Sequence, residues 1–248
     1  MEVTNHSGRQ SRLIEALSTR ERARVTEFLE PVELESRDVL ESEGDPIRCA
    51  VFPANAVTST LMELPEGDTV EVGLMGAEGV VGLPLLYGQR IANATVIVQI
   101  PGHGLRIPAD VFAREVVEHG GEFYRLLLRH ANMFSAMVAQ GAACNASHGV
   151  DQRLARWILQ VHDRVGTPQF PLTHEFIALM LGVRRASVSE AASRLRQAGA
   201  IDYRIGAVRV TGRAELEAAA CGCYAVMRRF SDNIFTDDSL GGAAKPHA

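Results

Sequence analysis

The sequence has few cysteines, few aromatic residues and no long apolar run. Its 248 residues include 4 cysteines, too few for a disulfide framework and without a Cys-x-x-Cys pair. No apolar run approaches the ~20 residues of a membrane helix, and charged residues interrupt the N-terminus where a signal peptide would lie. We therefore expect a soluble cytoplasmic protein that does not enter a membrane. Its free, reduced thiols would be Cys49, Cys144, Cys221 and Cys223.

Motifs of the common enzyme classes are also missing from the sequence. We find no glycine-rich phosphate loop, no serine nucleophile elbow, no His-Glu-x-x-His pair and no paired metal-ligand cluster. Histidine, aspartate and glutamate residues are dispersed without catalytic spacing. We therefore predict that the protein is not an enzyme and that it holds neither a metal nor a cofactor.

The charge is unevenly distributed along the chain. The formal net charge is −5, which alone argues against binding to nucleic acid. Between residues 184 and 213, however, the only acidic residues are Glu190 and Asp202. DNA binding needs only a local basic face, so this segment is a candidate. Its basic residues are Arg184, Arg185, Arg194, Arg196, Arg204, Arg209 and Arg213.

The first part of the chain has the pattern of a small all-β domain. After a short helical lead-in, β-prone runs such as residues 70–74 and 95–100 alternate with glycine and proline turns, up to about Pro108. Several short strands at regular spacing predict a β-roll or barrel.

From about residue 118 to residue 148 the apolar period is helical. One row of residues follows alternating steps of four and three, as in the seam of a two-stranded coiled coil. The helix would be roughly 45 Å long, and small residues near the row favour close approach of a second copy. We interpret the row as a dimer interface, with packing on the chain's own β domain as the alternative. It consists of Phe123, Leu127, His130, Phe134, Met137, Gly141 and Cys144.

Residues 172–201 have the pattern of a helix-turn-helix. Thr173 is a suitable N-cap for a first helix that ends at Gly182, and a second helix would run over residues 185–198. Two helices joined by a glycine turn are typical of DNA-binding domains. Alternating residues over 201–210 then predict a small β wing.

The second helix would present its polar side chains to a DNA groove. Arg185 can bind guanine through O6 and N7, and Glu190 can accept a hydrogen bond from a cytosine amino group. Residues just before the helices are placed for phosphate contacts. An ordinary helical hairpin with a solvated, arginine-rich face is the alternative. The predicted DNA-binding residues are Thr173, His174, Arg184, Arg185, Ser187, Ser189, Glu190, Ser193 and Arg194.

Taken together, these parts resemble the Crp/Fnr superfamily of bacterial transcription regulators, over roughly residues 28–230. Segment 76–84 is similar to the glycine-rich turn of that family's nucleotide pocket, and segment 151–157 is similar to its hinge and following helix. The resemblance implies a homodimer that binds a palindromic DNA site and contacts RNA polymerase. It also implies an α+β fold with an antiparallel, jelly-roll-like β-roll sensor domain (1–117), a long dimerisation helix (118–148), a winged helix-turn-helix DNA-binding domain (149–230) and a disordered tail (231–248).

The sequence departs from cyclic-AMP-binding members of this family at the ligand positions. Those members hold the ribose with a Glu and the phosphate with an Arg-Ser pair, whereas the matching residues here are Leu83, Asn93 and Ala94. A buried cyclic phosphate without its cationic partner would be costly, although Arg90 is close in sequence. We therefore predict a degenerate pocket that does not bind cyclic AMP with useful affinity. It would comprise Gly82, Leu83, Arg90, Asn93, Ala94 and Val138.

Two other sensing mechanisms are not favoured by the sequence. The oxygen sensors of the family carry an N-terminal cysteine cluster, but no cysteine precedes Cys49 here. Cys221 and Cys223 are interpreted as incidental, because residues two apart on a helix point to different faces; a redox role is the alternative. His130 is interpreted as a packed or partly exposed seam residue rather than a haem ligand or a pH switch.

Two functions remain open at this point. The first is a DNA-binding regulator with an unknown effector, and the second is a module whose helical end binds a protein. The salt dependence of DNA affinity separates them, because phosphate contacts release counterions and protein contacts need not do so.

Overall fold

The computed structural model describes residues 10–204 and 206–236. Antiparallel sheets are combined with helices, which confirms the predicted α+β class. The elements in chain order are α1 (Arg12–Glu15), α2 (Thr19–Thr26), β1 (Glu30–Leu34), β2 (Val39–Glu41), β3 (Cys49–Pro53), β4 (Val57–Glu63), β5 (Thr69–Met75), α3 (Leu83–Leu86), β6 (Thr95–Ile100), β7 (Gly102–Pro108), α4 (Ala109–Phe112), a π-helical segment (Ala113–Glu118), α5 (Gly121–Ser147), α6 (Val150–Val165), β8 (Gln169–Pro171), α7 (His174–Leu181), α8 (Arg185–Gln197), β9 (Ile201–Arg204), β10 (Ala207–Val210), α9 (Arg213–Ala219) and α10 (Cys223–Asn233).

The N-terminal strands form two antiparallel sheets, as predicted for a β-roll. Their strand orders are β1-β7-β3 and β2-β6-β4-β5. The long helix α5 packs against β5, where a Cβ atom at Gly73 would overlap the ring of Phe134. Glycine at this position therefore lets the helix approach the sheet closely.

Helix α5 begins three residues later than predicted, at Gly121. Residues 113–118 form the π-helical segment instead, and Gly120 and Gly121 follow with φ of 67° and 86°. These left-handed angles suit glycine and break the regular helix between the two segments. The helix then continues for 27 residues to Ser147.

The predicted dimer row of α5 faces the interior of its own chain, so its assignment to an interface between two copies is wrong. Phe123, Leu127 and His130 are completely buried, and Met137 and Cys144 are nearly so. The apolar repeat reflects packing on the chain's own strands, which was the alternative, and also packing on α10, which the sequence did not predict. Phe134 and Gly141, the other members of the row, are half-buried.

His130 lies within this packed face. The backbone N–H of Val80 donates a hydrogen bond to its Nε2 at 3.4 Å. Burial lowers the pKa of His130 to about 4, so its imidazole is neutral at physiological pH. The histidine is packed, as predicted, but inside one chain.

The largest apolar core joins the β-roll to the helical part of the chain. Val57, Leu61 and Leu74 from β4 and β5 belong to the same buried cluster as Trp157 of α6 and Leu195 of α8. Contacts between α7 and β5 continue this packing. The division into domains at residues 117 and 148 stays a prediction.

The C-terminal segment is folded further than predicted. Helix α10 extends to Asn233, and Ile234 is only 4% exposed because it packs on the core beneath α5. The expectation of disorder is therefore wrong for residues 231–236, and residues 237–248 lie outside the described part of the chain. Within the described residues, no helix has both the length and the apolar content to cross a membrane.

Candidate nucleic-acid interface

The turn between α7 and α8 has the predicted local geometry. The Thr173 side chain accepts a hydrogen bond from the Phe176 N–H at 3.2 Å, which satisfies a free donor at the helix start. Gly182 ends α7 with φ of 60°, and the Val183 N–H then bonds to the Ala178 carbonyl at 3.0 Å. The N-cap, both helices and the glycine turn are thus confirmed.

Helix α8 buries one side and exposes the other. Val188, Ala191, Ala192 and Leu195 are buried against the core and fix the helix axis. Among the predicted DNA-binding residues, His174, Ser187 and Ser193 are half-buried. The members exposed to solvent are Thr173, Arg184, Arg185, Ser189, Glu190 and Arg194.

The predicted wing is confirmed, and it supports the start of α7. β10 pairs with β9 and β8 in an antiparallel sheet. Tyr203 of β9 donates a hydrogen bond to the Leu172 carbonyl at 2.9 Å, and the His174 ring lies 4.2 Å from the Tyr203 ring centroid. His174 Nδ1 lies 3.0 Å from Ser189 Oγ, so it connects the wing and both helices.

His174 is not arranged as a free cation for DNA phosphate. Partial burial, with a smaller contribution from the nearby Arg185 charge, lowers its pKa below the ordinary value. At neutral pH the imidazole can therefore contact phosphate only through a hydrogen bond or by holding Ser189 in position.

Two predicted DNA-binding arginines make ion pairs in the structure. Arg185 Nε lies 2.8 Å from a Glu175 oxygen. Arg194 binds both Asp151 oxygens, at 2.6 and 2.7 Å. Surface ion pairs of this kind are weak, so a phosphate or base edge can replace the carboxylates. Neither partner was anticipated, because only the fold brings Asp151 to α8, 43 residues further along the chain.

Helix α6, which precedes the helix-turn-helix, packs against the β-roll through polar contacts. Trp157 Nε1 donates to Glu71 Oε1 at 2.7 Å. Arg164 and Glu78 form a buried ion pair at 2.7 Å. Burial raises the pKa of Glu71 to about 7, although hydrogen bonds from Ser59 and Trp157 partly offset this. The orientation of α6 is therefore set partly by residues of the roll.

The predicted effector pocket is only partly assembled. Gly82, Leu83, Asn93 and Ala94 line a cavity of about 60 Å³, which Phe134 of α5 helps to close. Its wall also contains Glu41, whose pKa burial raises to about 7. Sites for small ligands usually enclose about 300–1,000 Å³. The cavity is therefore smaller than the usual site for a small ligand.

Two predicted pocket residues lie elsewhere, and their assignment is corrected. Arg90 forms an ion pair with Asp110 at the surface and does not line the cavity. Val138 lies one turn beyond Phe134 on α5 and lines a separate cavity of about 150 Å³ that includes Val70 and Trp157. Among the described residues that line this cavity there is therefore no arginine or lysine.

The structure also contradicts the interpretation of Cys221 and Cys223 as incidental, because they belong to a cluster of potential metal ligands. The fold brings both sulfurs together with Cys144 and His148. The spacing of Cys144 and His148, four residues apart at the end of a helix, was a sequence signal for a shared face. Its combination with a pair more than 70 residues away needed the tertiary structure.

The geometry described above defines a winged helix-turn-helix protein. Residues 152–219 match a family model described as the Crp-like helix-turn-helix domain. This match includes α6, α7, α8 and the wing. No curated protein matches the chain significantly by sequence.

Solved structures with a similar fold include three regulators. FixK2 from Bradyrhizobium japonicum has a TM-score of 0.66 and 14% identity, covering 78% of this chain and 98% of that one. The global regulator CLP of Xanthomonas campestris, which responds to c-di-GMP, has a TM-score of 0.64 and 14% identity, with coverages of 79% and 100%. A Crp/Fnr-family transcriptional regulator from Thermus thermophilus has a TM-score of 0.63 and 19% identity, with coverages of 77% and 98%.

These matches identify the chain in terms of fold and domain. It carries a Crp-like helix-turn-helix domain within the fold of Crp/Fnr transcription regulators. The predicted recognition of this fold is confirmed.

Proposed function

We propose that the protein is a transcription regulator that binds DNA through α8. The observation that carries the proposal is the exposed side of α8, with Arg184 and Arg185 at its start, inside a Crp-like domain. Arg196 of α8 and Arg204 and Arg209 of the wing are also exposed and extend the basic face. The side chains predicted to contact DNA remain Thr173, His174, Arg184, Arg185, Ser187, Ser189, Glu190, Ser193 and Arg194.

The protein acts as a homodimer on a palindromic site in this proposal. The outer face of α5 supports it, since Leu128, Asn132, Ser135, Ala139 and Ala142 follow the coiled-coil steps and are exposed in the described part of the chain. Small side chains allow two such helices to approach closely. Two-fold symmetry would then place the α8 helices about 34 Å apart, one turn of DNA.

Dimerisation through this face is tested by Ala139→Arg, with Ala16→Arg as a matched control at an exposed position outside α5. We expect the Ala139→Arg variant to be monomeric in sedimentation and the control to remain dimeric. A dimer that survives Ala139→Arg would contradict the proposed interface.

In this proposal the β-roll sensor domain does not bind cyclic AMP and responds to a different effector or to none. A cavity of about 60 Å³ and the Asn93-Ala94 pair in place of Arg-Ser support this part of the proposal. Micromolar binding of cyclic AMP in calorimetry would contradict it. We further propose that the protein works in the cytoplasm with RNA polymerase as a partner, and that it is not an enzyme.

The experiment that tests the function is a selection from a random DNA library with purified, ligand-free protein, followed by salt titration of the selected site. An enriched palindrome whose affinity falls steeply with salt would support a regulator that is active without a nucleotide. Weak, salt-dependent binding without enrichment would indicate α8 helices that are out of register. Absence of salt-dependent DNA binding would favour the protein-binding alternative.

A further inference from the structure

Three thiols and one imidazole converge where α5 ends and α10 begins. The ligand atoms of Cys144, His148, Cys221 and Cys223 all lie within 4.8 Å of one another. Cys144 and Cys221 have sulfurs 3.5 Å apart, and Cys223 Sγ lies 3.7 Å from His148 Nδ1. The three cysteines are buried and His148 is half-buried.

We propose that these four side chains form a tetrahedral zinc site. Zinc binds thiolate sulfur at ~2.3 Å and imidazole nitrogen at ~2.0–2.1 Å. Two sulfurs at that distance from a tetrahedral centre are about 3.8 Å apart, and a sulfur and a nitrogen are slightly closer. The separations of 3.5 and 3.7 Å in the structure lie within about 0.3 Å of these values, so side-chain adjustments of this size would let an ion enter.

The donor set favours zinc over a disulfide or a harder cation. Three sulfurs and one imidazole complete a four-coordinate Cys₃His set, which is a common structural zinc set. Thiolate ligands select soft or borderline metals and disfavour magnesium and calcium. A disulfide would use two of the sulfurs and leave the third sulfur and His148 without a role. On binding, each thiol releases its proton to solvent and the sulfur donates a lone pair to the ion.

The surroundings supply charge that suits this centre. Three thiolates, a neutral imidazole and Zn²⁺ carry one net negative charge. Arg153 and Arg156 are 9% and 6% exposed, and no carboxylate oxygen in the described part of the chain pairs with either within 4 Å, although Arg156 is near enough to Glu71 to interact with it. Both lie near enough to Cys144 to interact with it electrostatically. Buried charges are normally paired, and the anionic centre would partner these two arginines.

A hydrogen bond also orients one ligand. Gln140 Nε2 donates to Cys223 Sγ at 3.1 Å. Donors of this kind hold thiolate ligands in place and are part of most metal sites. Gln140 lies one turn before Cys144 on the same helix, so α5 supplies one ligand, Cys144, and the donor that orients Cys223.

The position of the site gives the ion a structural role at the joint between α5 and α6. His148 lies between these helices, next to Gly149. Cys223 is the first residue of α10, and Cys221 lies two residues before it. Zinc would therefore hold the end of α5 against α10 and restrict movement at the joint. This inference is independent of DNA binding, and its test does not need a DNA site.

Metal binding is tested with the reduced, chelator-treated full-length protein. Zinc is titrated in competition with a chromophoric chelator, and Co²⁺ is added separately as a spectroscopic probe. We expect about one zinc per chain and cobalt spectra with thiolate charge-transfer bands. Cys223→Ser and His148→Ala should lower zinc affinity more than about 100-fold, and Gln140→Ala about 10–100-fold. Cys49→Ser, which changes the one cysteine outside the cluster, should bind like the wild type.

Thermal unfolding provides a second readout. It compares the Tm of each protein with and without zinc, so the variants need not be as stable as the wild type. Zinc should raise the Tm of the wild type and of Cys49→Ser by mass action, and should leave the Tm of Cys223→Ser unchanged. Wild-type protein that binds no more zinc than Cys223→Ser would overturn the proposal. A cobalt spectrum without thiolate bands, or a Cys144–Cys221 disulfide found by mass spectrometry in freshly purified protein, would also overturn it.

Discussion

The helix-turn-helix surface and the β-roll pocket differ in how they hold their polar groups. Arg185 is exposed on α8 and paired only with a surface carboxylate, so its guanidinium remains available to a ligand. In the roll, by contrast, Leu83, Ala94 and Phe134 close the cavity. An exposed cation costs the fold little, whereas a buried pocket without a ligand-binding cation is more stable when apolar atoms fill it. The proposed DNA surface therefore presents charged groups to solvent, whereas the proposed pocket is lined largely by apolar side chains.

The largest effect on stability is expected when the contact between these two regions is removed. Trp157 is 1% exposed in the shared core and donates to Glu71 of the roll. We expect Trp157→Ala to lower the free energy of unfolding by about 3–5 kcal/mol, measured by urea titration. Trp157→Phe keeps most of the apolar area but removes the donor, so it should cost less, about 1–3 kcal/mol. Equal losses in both variants would show that the hydrogen bond, rather than packing, joins the regions.

The pocket itself can be examined through Glu41, whose pKa is raised from 4.5 to about 7 by burial. The unfolded chain ionises this carboxyl near its ordinary pKa, so the stability it confers is complete below pH 4.5 and is lost as the pH rises to 7. The loss is about 3 kcal/mol at most. Glu41→Gln should therefore be more stable than the wild type at pH 8 and similar to it at pH 4.

Urea titrations at pH 4, 6 and 8 measure this difference. Glu43→Gln, at an exposed position two residues away, is the matched control and should follow the wild type at each pH. Glu71 is unchanged in both variants and keeps its own contribution to the pH dependence. Parallel curves for Glu41→Gln and the wild type would show that Glu41 ionises freely in the folded protein.

The Arg185→Ala variant tests the proposed DNA-binding surface. Loss of a bidentate contact to guanine should cost about 1–3 kcal/mol on the selected site and relax the sequence preference at one position. Fluorescence anisotropy at fixed salt measures the affinity, and a repeated library selection measures the preference. Arg20→Ala removes the same charge from exposed α2 and should change neither. An unaltered preference in the Arg185 variant would refute its assigned role.

The smallest effect is expected at the start of α7. Thr173→Ala removes the acceptor for the Phe176 N–H and should cost about 1 kcal/mol of stability. Thr173→Ser retains a hydroxyl and should recover most of it. Thermal unfolding of the three proteins checks this order. A Ser variant as unstable as the Ala variant would assign the effect to the lost methyl group instead.

Sequence analysis predicted the helix-turn-helix in detail because its signals are local. Thr173, Gly182 and the alternating wing residues act within a few positions of themselves, and their conformational preferences do not depend on the rest of the fold. The β-roll was predicted as a class, from turn residues and β-prone runs. Strand pairing could not be predicted, because register depends on residues far apart in sequence.

The sequence alone could not predict which part of the structure each helical face packs against. The row containing Phe123 and Leu127 has a coiled-coil period, but an apolar stripe packs equally well on a second copy or on its own chain. For the same reason the cluster around Cys144 was missed. Its two pairs are each unremarkable until the fold brings them together.

The shared core has a consequence for how the protein unfolds. Val57 and Leu61 of β4 cover apolar side chains of the helical part, so removing one part would expose the other to water. Heating should therefore give a single endothermic peak with equal calorimetric and van't Hoff enthalpies. Limited proteolysis should not release residues 152–219 as a stable fragment, because strands from the first half of the chain supply part of their interior.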